Sequence, residues 1–535
     1  MSLQGPGNNP PAYDRPRIHF APGEITLFIK HRPGLSANAI VKTITGLYPF
    51  PRDLQDLGFS APPQVFLSPE RVTTFDESKF DRSKADSGVA YSLVFADIPA
   101  LRDEDLLLRF VDLTRARIDA LQSEWGSSFL FQATTPNWLA CGAGQNNGSG
   151  GPGGEPVAPS TLGAPKPLPV GLGSTTAPEQ RGRCVDIFIL DTAPCEIDLK
   201  RAYHKWVEKP LRGHGDLNSH LDALIGPAGA LGHIHNHPRI HYAGHTHLLE
   251  VANAYLPQHD YVMSDHGLFV ASIINQYAPG ARLHLIEVLN PFGVGTLESI
   301  ANGFARAADF ALKYPCAKVV VNASLFLDVG QADTDSLKAL IEHDPFWQRY
   351  LVDQNGNHIA DENELNMLVE PLRVVCEFLR NQAAVEIIAA AGNDGRTIRD
   401  SQGNNVPFHP IARFPAAYPT VTGVGARNFD DSVSLYSNQS DRPPVDGVET
   451  FGGNVIGDRS DPEFGALGVY IGTFPDRTPN QYGLARWSGT SFATPMVTGL
   501  VAALLCDGMP PADVIPAIQD ALASASTEPQ GECVA

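Results

Sequence analysis

The chain has 535 residues, 43% of them hydrophobic, so it is long enough for more than one domain and can bury a large core. Its 59 acidic and 39 basic residues give a formal net charge of −20. This charge argues against nucleic acid or an anionic membrane as a partner, because both bind basic surfaces. No run of about 18 apolar residues is present to span a bilayer, and the first twenty residues lack the pattern of a secretory signal. We therefore expect a cytoplasmic protein, in which the seven dispersed cysteines are reduced.

The first 140 residues contain a short series of strands and helices. Hydrophobic alternation predicts strands at EITLFIKH, QVFLS, AYSLVFAD and SFLFQA, and helical periodicity predicts helices at SANAIVKTITGL and DEDLLLRFVDLTRARIDALQ. The resulting order, β-α-β-β-α-β, is that of a ferredoxin-like unit. Residues 1–140 are therefore predicted to form a small α+β domain.

The composition changes after this domain. Residues 141–180 are rich in Gly, Pro, Ser and Thr and have no hydrophobic period, which is typical of a linker. From 181 to 535, the apolar segments CVDIFIL, RLHLIEVL, AKVVVNA, VEIIAAA and TVTGVGA alternate with helical patterns. This alternation predicts an α/β domain with a mainly parallel central sheet covered on both faces. Two polar stretches, at about 200–262 and 330–366, are predicted to be insertions.

Four polar residues stand at strand or helix ends that should share one edge of the parallel sheet. Asp191 ends a strand, Asn393 follows another, and His266 and Ser491 each open an apolar helix. A serine hydroxyl needs an imidazole base to act as a nucleophile, and that imidazole needs a carboxylate to orient it. The Asn393 amide and the Ser491 backbone N–H supply oxyanion donors. Each residue also has a purely structural interpretation, since Ser491 can cap its helix and Asn393 can form a turn.

The segment GTSFATPMVTG around Ser491, together with AAAGNDG around Asn393, resembles the signature of the subtilisin-like serine proteases. The resemblance implies a subtilisin-like three-layer fold, an Asp191–His266–Ser491 triad, Asn393 in the oxyanion hole, and no required cofactor. It also implies that Ser324, Leu325, Phe326 and Gly392 bind the backbone of a protein or peptide substrate. The sequence departs from the family pattern at DTAP and HGLFVAS, where Ala193 replaces a glycine and Phe269 replaces a second histidine. These departures are the basis of an alternative, a catalytically degenerate scaffold with a binding or regulatory function.

The same resemblance implies a role for the N-terminal domain. Many subtilisin-like proteases carry a ferredoxin-like propeptide that assists folding and blocks the active site. The stretch FLFQATTPNWL would then lead into the active site, where Trp138 and Leu139 would occupy substrate subsites. We expect a precursor that is kept latent by this intramolecular partner and activated by autoprocessing within residues 130–180 or by a binding partner. The alternative is a permanent recognition or regulatory module.

Two segments have the composition of metal sites. In DQNGNHIADENE, the residues Asp353, Asn355, Asn357, Asp361 and Glu364 fall at ligand positions of an EF-hand calcium loop, although His358 stands where that loop needs glycine. The alternative is an ordinary acidic surface loop. The run HIHNHPRIHYAGHTH has no defined pair of ligands at zinc spacing, so a solvated loop is favoured over a metal site.

Overall fold

A computed structural model of the chain describes sixteen stretches between residues 20 and 527. They are 20–47, 57–59, 64–84, 87–103, 106–111, 113–114, 129–142, 154–160, 176–208, 219–235, 263–327, 362–399, 402–440, 447–456, 459–460 and 464–527. The fold comprises an antiparallel sheet at the N-terminal end of the chain and a parallel sheet with helices that follows it.

The N-terminal sheet has the order of elements predicted from the sequence. It contains β1 (Phe20–His31), β2 (Phe66–Asp76), β3 (Ala90–Asp97) and β4 (Phe129–Gly142) in the spatial order β4-β1-β3-β2. Helix α1 (Ala37–Leu47) joins β1 to β2, and residues 106–111 are helical between β3 and β4. All these pairs are antiparallel. Strands β2 and β4 are longer than predicted, because each continues into sequence that lacks a clear hydrophobic alternation.

The second sheet is parallel, as the apolar segments predicted. Its strands are β5 (Val185–Asp191), β6 (Leu231–His235), β7 (Arg282–Glu287), β9 (Lys318–Ala323), β11 (Glu386–Ala390), β14 (Thr422–Arg427) and β15 (Val448–Phe451), in the order β15-β14-β11-β9-β5-β7-β6. Strand β6 lies inside the stretch at about 200–262 that was predicted to be an insertion. The strand was not predicted because its histidines interrupt the apolar pattern. It pairs with β7 at the edge of the sheet through backbone hydrogen bonds.

Helices cover both faces of the parallel sheet, which gives three layers. They are α2 (Glu196–Tyr203), α3 (Ser219–Ile225), α4 (His266–Tyr277), α5 (Leu297–Lys313), α6 (Glu362–Gln382), α7 (Thr490–Cys506) and α8 (Pro511–Thr527). Buried side chains of α4 and α7 share one core with the sheet. Buried side chains of α5 and α6 form a second core, which is continuous with that of the N-terminal sheet. Among the helices that the structure describes, none combines the length and the hydrophobicity needed to cross a bilayer.

Shorter strands complete the described fold. Strands β12 (Arg396–Arg399) and β13 (Asn405–Phe408) form a hairpin, as do β16 (Val455–Ile456) with β17 (Arg459–Ser460) and β18 (Ala466–Val469) with β19 (Leu484–Trp487). Two more, β8 (Val294–Thr296) and β10 (Leu325–Leu327), flank the end of β4.

The end of β4 pairs with segments that lie far away in the sequence. Residues 139–141 run antiparallel to β8, and residues 140–142 run antiparallel to β10. We call the gap between these two strands the β8–β10 groove. Strand β4 fills this groove as its central strand, so the N-terminal sheet and the second part of the chain are joined by backbone pairing.

Candidate active site

Asp191 and His266 come together as the sequence predicted. Asp191 is the last residue of β5 and His266 the first residue of α4, and both are fully buried. The imidazole Nδ1 lies 2.7 Å from Oδ1 and 3.0 Å from Oδ2 of the carboxylate. The backbone N–H of Thr192 also donates to Asp191 Oδ1 at 2.7 Å. This arrangement fixes the imidazole plane and directs its Nε2 atom away from the carboxylate.

A glycine allows α4 to begin this close to β5. A Cβ added to Gly267 would lie 2.1 Å from the backbone oxygen of Thr192. The Gly267 N–H instead donates to Thr192 Oγ1 at 3.1 Å, and that hydroxyl donates to the Met263 carbonyl at 2.9 Å. Thr192 therefore links the start of α4 to the end of β5. This close packing places the His266 ring in direct hydrogen-bonding distance of Asp191.

Aromatic side chains surround the His266 ring. Trp487 and Phe492 each lie 5.3 Å from it, measured between ring centroids. Phe269, which stands where the family has a second histidine, packs on the same Trp487 and Phe492 rings at 5.6 and 4.8 Å. The indole N–H of Trp487 donates to the carbonyl of Gly154 at 2.7 Å. One side of the imidazole therefore packs against aromatic rings. Gly154, in the predicted linker, contacts one of these rings through its hydrogen bond with Trp487.

Ser491 is the second residue of α7 and is fully buried. Its hydroxyl donates to the carbonyl oxygen of Ser324 at 3.4 Å, and the Ser324 hydroxyl donates to the Ser491 carbonyl at 3.0 Å. Nε2 of His266 is buried and has no hydrogen-bond partner. The hydrogen bond expected between Ser491 and His266 is therefore not formed in this structure, although Phe492, the next residue after the serine, contacts the imidazole.

Asn393 lies on the Ser491 side of the site, after the end of β11. Its side-chain oxygen accepts hydrogen bonds from both the backbone N–H and the hydroxyl of Thr490, each at 3.0 Å. These two bonds fix the orientation of the amide. The Nδ2 atom of Asn393 is buried and has no hydrogen-bond partner. A free amide donor is therefore held close to the start of α7, where the dipole of the helix also favours negative charge.

The segments predicted to bind substrate line the end of β4. Leu325 pairs with Gly142, and Phe326 pairs with Cys141, so this segment already holds an extended strand. Ser324 precedes them and contacts Ser491. Gly392 directly precedes Asn393, and its N–H donates to Thr490 Oγ1 at 3.3 Å.

Asp265 precedes His266 in the sequence but makes different contacts. Its Oδ2 accepts the backbone N–H groups of Ile471 and Gly472, at 2.9 and 2.5 Å. Burial raises the pKa of Asp265 to about 6. The carboxylate that orients the imidazole is Asp191, and Asp265 instead anchors the segment that follows β18.

The predicted calcium loop lies largely outside the described residues. This applies to Asp353, Asn355, Asn357 and Asp361, while Glu364 lies in α6 and its side chain is not described. Most of the histidine-rich run also falls outside. Within the described stretches of the chain, no group of three or more His, Cys, Asp or Glu side chains is arranged to hold a metal ion.

Several contacts of the site were not predicted from the sequence. Thr490, which fixes the Asn393 amide, lies in the GTS motif and was identifiable as a neighbour of the serine. No local signal pointed to Trp487 or to the linker residue Gly154, because their contact joins residues that are far apart in the chain.

Comparison with known proteins identifies the family of the chain. The sequence model of the subtilase family, Peptidase_S8, matches residues 232–530, a stretch that contains His266, Asn393 and Ser491 and begins after Asp191. A lanthipeptide protease of known structure is 16% identical over 63% of this chain and 79% of its own, with a TM-score of 0.34. The prenylagaramide maturation protease PagA is 24% identical over 45% of this chain and 64% of its own, with a TM-score of 0.27. The family match covers more than half of the sequence, and the chain belongs to the subtilase family.

Proposed function

We propose that the chain is a serine endopeptidase that works through an acyl-enzyme. In this mechanism Ser491 attacks the scissile carbonyl, His266 accepts its proton at Nε2 and later returns it to the leaving amine, and Asp191 holds the imidazole. Asn393 Nδ2 and the backbone N–H of Ser491 stabilise the oxyanion. The first step requires the serine hydroxyl to turn from the Ser324 carbonyl towards Nε2. Catalytic hydrogen bonds commonly tighten only when substrate is bound.

This proposal is carried by two of the buried polar atoms that have no hydrogen-bond partner, because both lie at this site. Buried polar groups in proteins almost always have a hydrogen-bond partner, yet His266 Nε2 and Asn393 Nδ2 have none. They belong to the two residues that family resemblance assigns to proton transfer and to oxyanion binding. A tetrahedral intermediate on Ser491 would supply a partner to each of them. The two unpaired atoms therefore support a site that binds the tetrahedral intermediate.

We further propose that the N-terminal domain, residues 1–140, keeps the enzyme latent. The end of β4 occupies the β8–β10 groove, and Gly142 pairs with Leu325, the residue after Ser324. A substrate strand would need the same backbone groups. The buried side chain of Arg71 adds a further link, since it bonds both Glu24 of the N-terminal sheet and Glu298 of α5. Activation then requires that β4 leaves the groove, after cleavage within residues 130–180 or on binding of a partner.

A fluorophosphonate probe tests the peptidase function directly. Labelling that is lost in Ser491→Ala, together with hydrolysis of a peptide library that the same variant abolishes, is the expected result. Amino-terminal sequencing after incubation tests the latency: the new termini should fall within residues 130–180 and appear as activity rises. Labelling that persists in Ser491→Ala contradicts the assignment of the nucleophile.

The alternative is a binding or regulatory protein on the same scaffold. It predicts that neither the full chain nor one whose β4 has been displaced reacts with the probe. Labelling by the fluorophosphonate probe therefore distinguishes the two functions.

A further inference from the structure

Phe326 belongs to β10, the strand that pairs with the end of β4. The residue is 2% exposed and is the middle residue of β10. Its neighbours Leu325 and Leu327 point into the large core shared with the N-terminal sheet, whereas Phe326 clusters with Ala390 at the end of β11. Alternate residues of a strand face opposite sides. The Phe326 ring is therefore on the side of β10 that faces the segment leading to Asn393.

Backbone hydrogen bonds join three segments of the chain near this ring. The N–H of Leu327 donates to the Phe414 carbonyl at 2.9 Å, and the N–H of Arg413 donates to the Ala391 carbonyl at 2.8 Å. Residues 413–414 therefore connect β10 to Ala391, which lies two residues before Asn393. The Phe326 ring therefore lies close to where β10, residues 413–414 and the end of β11 approach one another.

Arg413 packs against the Phe326 ring. Its guanidinium carbon is 4.5 Å from the centroid of the Phe326 ring, within the range of a cation–π contact. The same guanidinium makes two bonds of 2.5 Å to the carboxylate of Asp394, from Nε and from Nη2. Asn438 in turn donates to that carboxylate at 2.9 Å. Because the charge of Arg413 is already paired, we do not expect it to select an acidic substrate residue.

The register of β4 indicates which residue of a substrate strand would meet the Phe326 ring. The position opposite Phe326 in this register is that of Cys141, and strand positions two residues apart share one face of the sheet. A substrate strand in this register that extended one residue past the position of Gly142 would reach Ser324, whose carbonyl accepts the Ser491 hydroxyl. That residue would carry the scissile carbonyl, and its side chain would share the face of Phe326. Diagonal neighbours of this kind are about 7–8 Å apart, within reach of an aromatic ring.

We propose, building on the peptidase function above, that Phe326 fills most of the pocket for the residue on the acyl side of the scissile bond. The enzyme then selects a small residue there, alanine or glycine, and rejects large or aromatic ones. The sequence of the chain itself agrees with this preference, since Ala143 and Gly144 follow Gly142. Phe326 is thus a specificity-determining residue.

A series of fluorogenic peptides that differ only in the acyl-side residue tests this inference. We would assay alanine, leucine, phenylalanine and glutamate peptides with the full chain and with its Ala140→Pro variant, in which β4 is weakened. The ratio of kcat/KM for alanine over phenylalanine should be about 10 to 200, the usual range for discrimination by pocket size. In Phe326→Gly this ratio should fall below one, and in Phe326→Leu it should be intermediate. Phe429→Gly, which changes an exposed phenylalanine, is the matched control and should keep the wild-type ratio.

The outcomes separate this inference from the proposed function. Cleavage that depends on Ser491 but prefers phenylalanine, leucine or glutamate overturns the role of Phe326 and leaves the peptidase intact. The same holds if Phe326→Gly and Phe326→Leu both fold, by their melting temperatures, and keep the wild-type ratio. If no peptide is cleaved in a manner that Ser491→Ala abolishes, in either background, the peptidase function fails and the inference fails with it.

Discussion

The side-chain oxygen of Asn393 is held by two donors of one residue, the backbone N–H and the hydroxyl of Thr490, both at 3.0 Å. The amide nitrogen is thereby fixed in one orientation and kept free of protein acceptors. In a proposed oxyanion hole this matters, because a donor that is already oriented does not have to reorganise during the reaction.

Replacement of Asn393 should therefore affect the rate more than substrate binding. We expect Asn393→Ala to lower kcat by about 10² to 10³ with little change in KM, because the lost bond forms only in the transition state. Thr490→Val removes one of the two bonds to the amide oxygen and should cause a smaller loss. Steady-state kinetics measure both, with Asn404→Ala at an exposed turn as the control. An increase in KM at constant kcat would contradict an oxyanion role.

The position of β4 leads to a prediction about latency. Ala140 pairs with Gly295 of β8 and with Leu327 of β10, so its backbone lies in the centre of a three-stranded ladder. Proline lacks the N–H and is excluded from central strands. We expect Ala140→Pro to raise the initial peptidase activity of the full chain at least about fivefold, since one ladder hydrogen bond contributes roughly 1 kcal/mol.

The matched control for this prediction is another alanine-to-proline change in the N-terminal region. Ala37 is the first residue of α1, a position where proline is well tolerated. Ala37→Pro should leave the initial activity at the wild-type level. If both variants behave alike, or if Ala140→Pro stays as inactive as the wild type while labelling by the probe is equal, then β4 is not the inhibitory element.

The sequence predicted those parts of the fold and site in which side chains carry the signal. The β-branched runs of β5, β7 and β9 identified the parallel sheet, and the ends of its strands located Asp191 and Asn393. Strand pairing that depends on the backbone alone was not predictable. Examples are β6 within the histidine-rich run and the extension of β4 to Gly142, whose partners lie more than 150 residues away. Val157, in the predicted linker, is a further example of such backbone pairing, because it forms an antiparallel bridge with Arg486.

A buried ionic cluster between the N-terminal sheet and α5 should make their association depend on pH. The Arg71 guanidinium donates to the Glu298 carboxylate, with Nη2 at 2.5 Å, and to Glu24 at 2.7 Å. Asn137 also bonds Glu24, at 2.7 Å. Burial, opposed by Arg71 and assisted by the nearby charge of Glu24, raises the pKa of Glu298 to about 7. Two carboxylates thus share one cation in a buried site.

The sign of the effect follows from this raised pKa. When the two parts separate, Glu298 returns towards its ordinary value of 4.5, so the associated state binds the proton more tightly. The contribution of Glu298 to the stability of the associated state is fully present below about pH 4.5 and is lost as the pH rises through about 7. We expect the melting temperature of the full chain to fall between pH 5 and 8, and this dependence to be reduced in Glu298→Gln, which carries no charge at any pH. Glu196→Gln, at the exposed start of α2, is the control. Identical pH profiles for wild type and Glu298→Gln would exclude this contribution.

The close approach of α4 to β5 gives the last prediction. A Cβ at Gly267 would lie 2.1 Å from the Thr192 carbonyl oxygen and 3.0 Å from the Asp191 Cβ, so α4 must move away from β5. Gly267→Ala should cost about 1–3 kcal/mol of stability through overpacking and should lengthen the His266–Asp191 hydrogen bond. Gly46→Ala in α1 is the matched control, because nothing lies within 4 Å of its added Cβ, and the change should stabilise the helix by about 0.5–1 kcal/mol. Thermal unfolding measures the first effect, and kcat of the folded fraction measures the second. A Gly267→Ala variant with wild-type melting temperature and kcat would show that the start of α4 can shift without disturbing the imidazole.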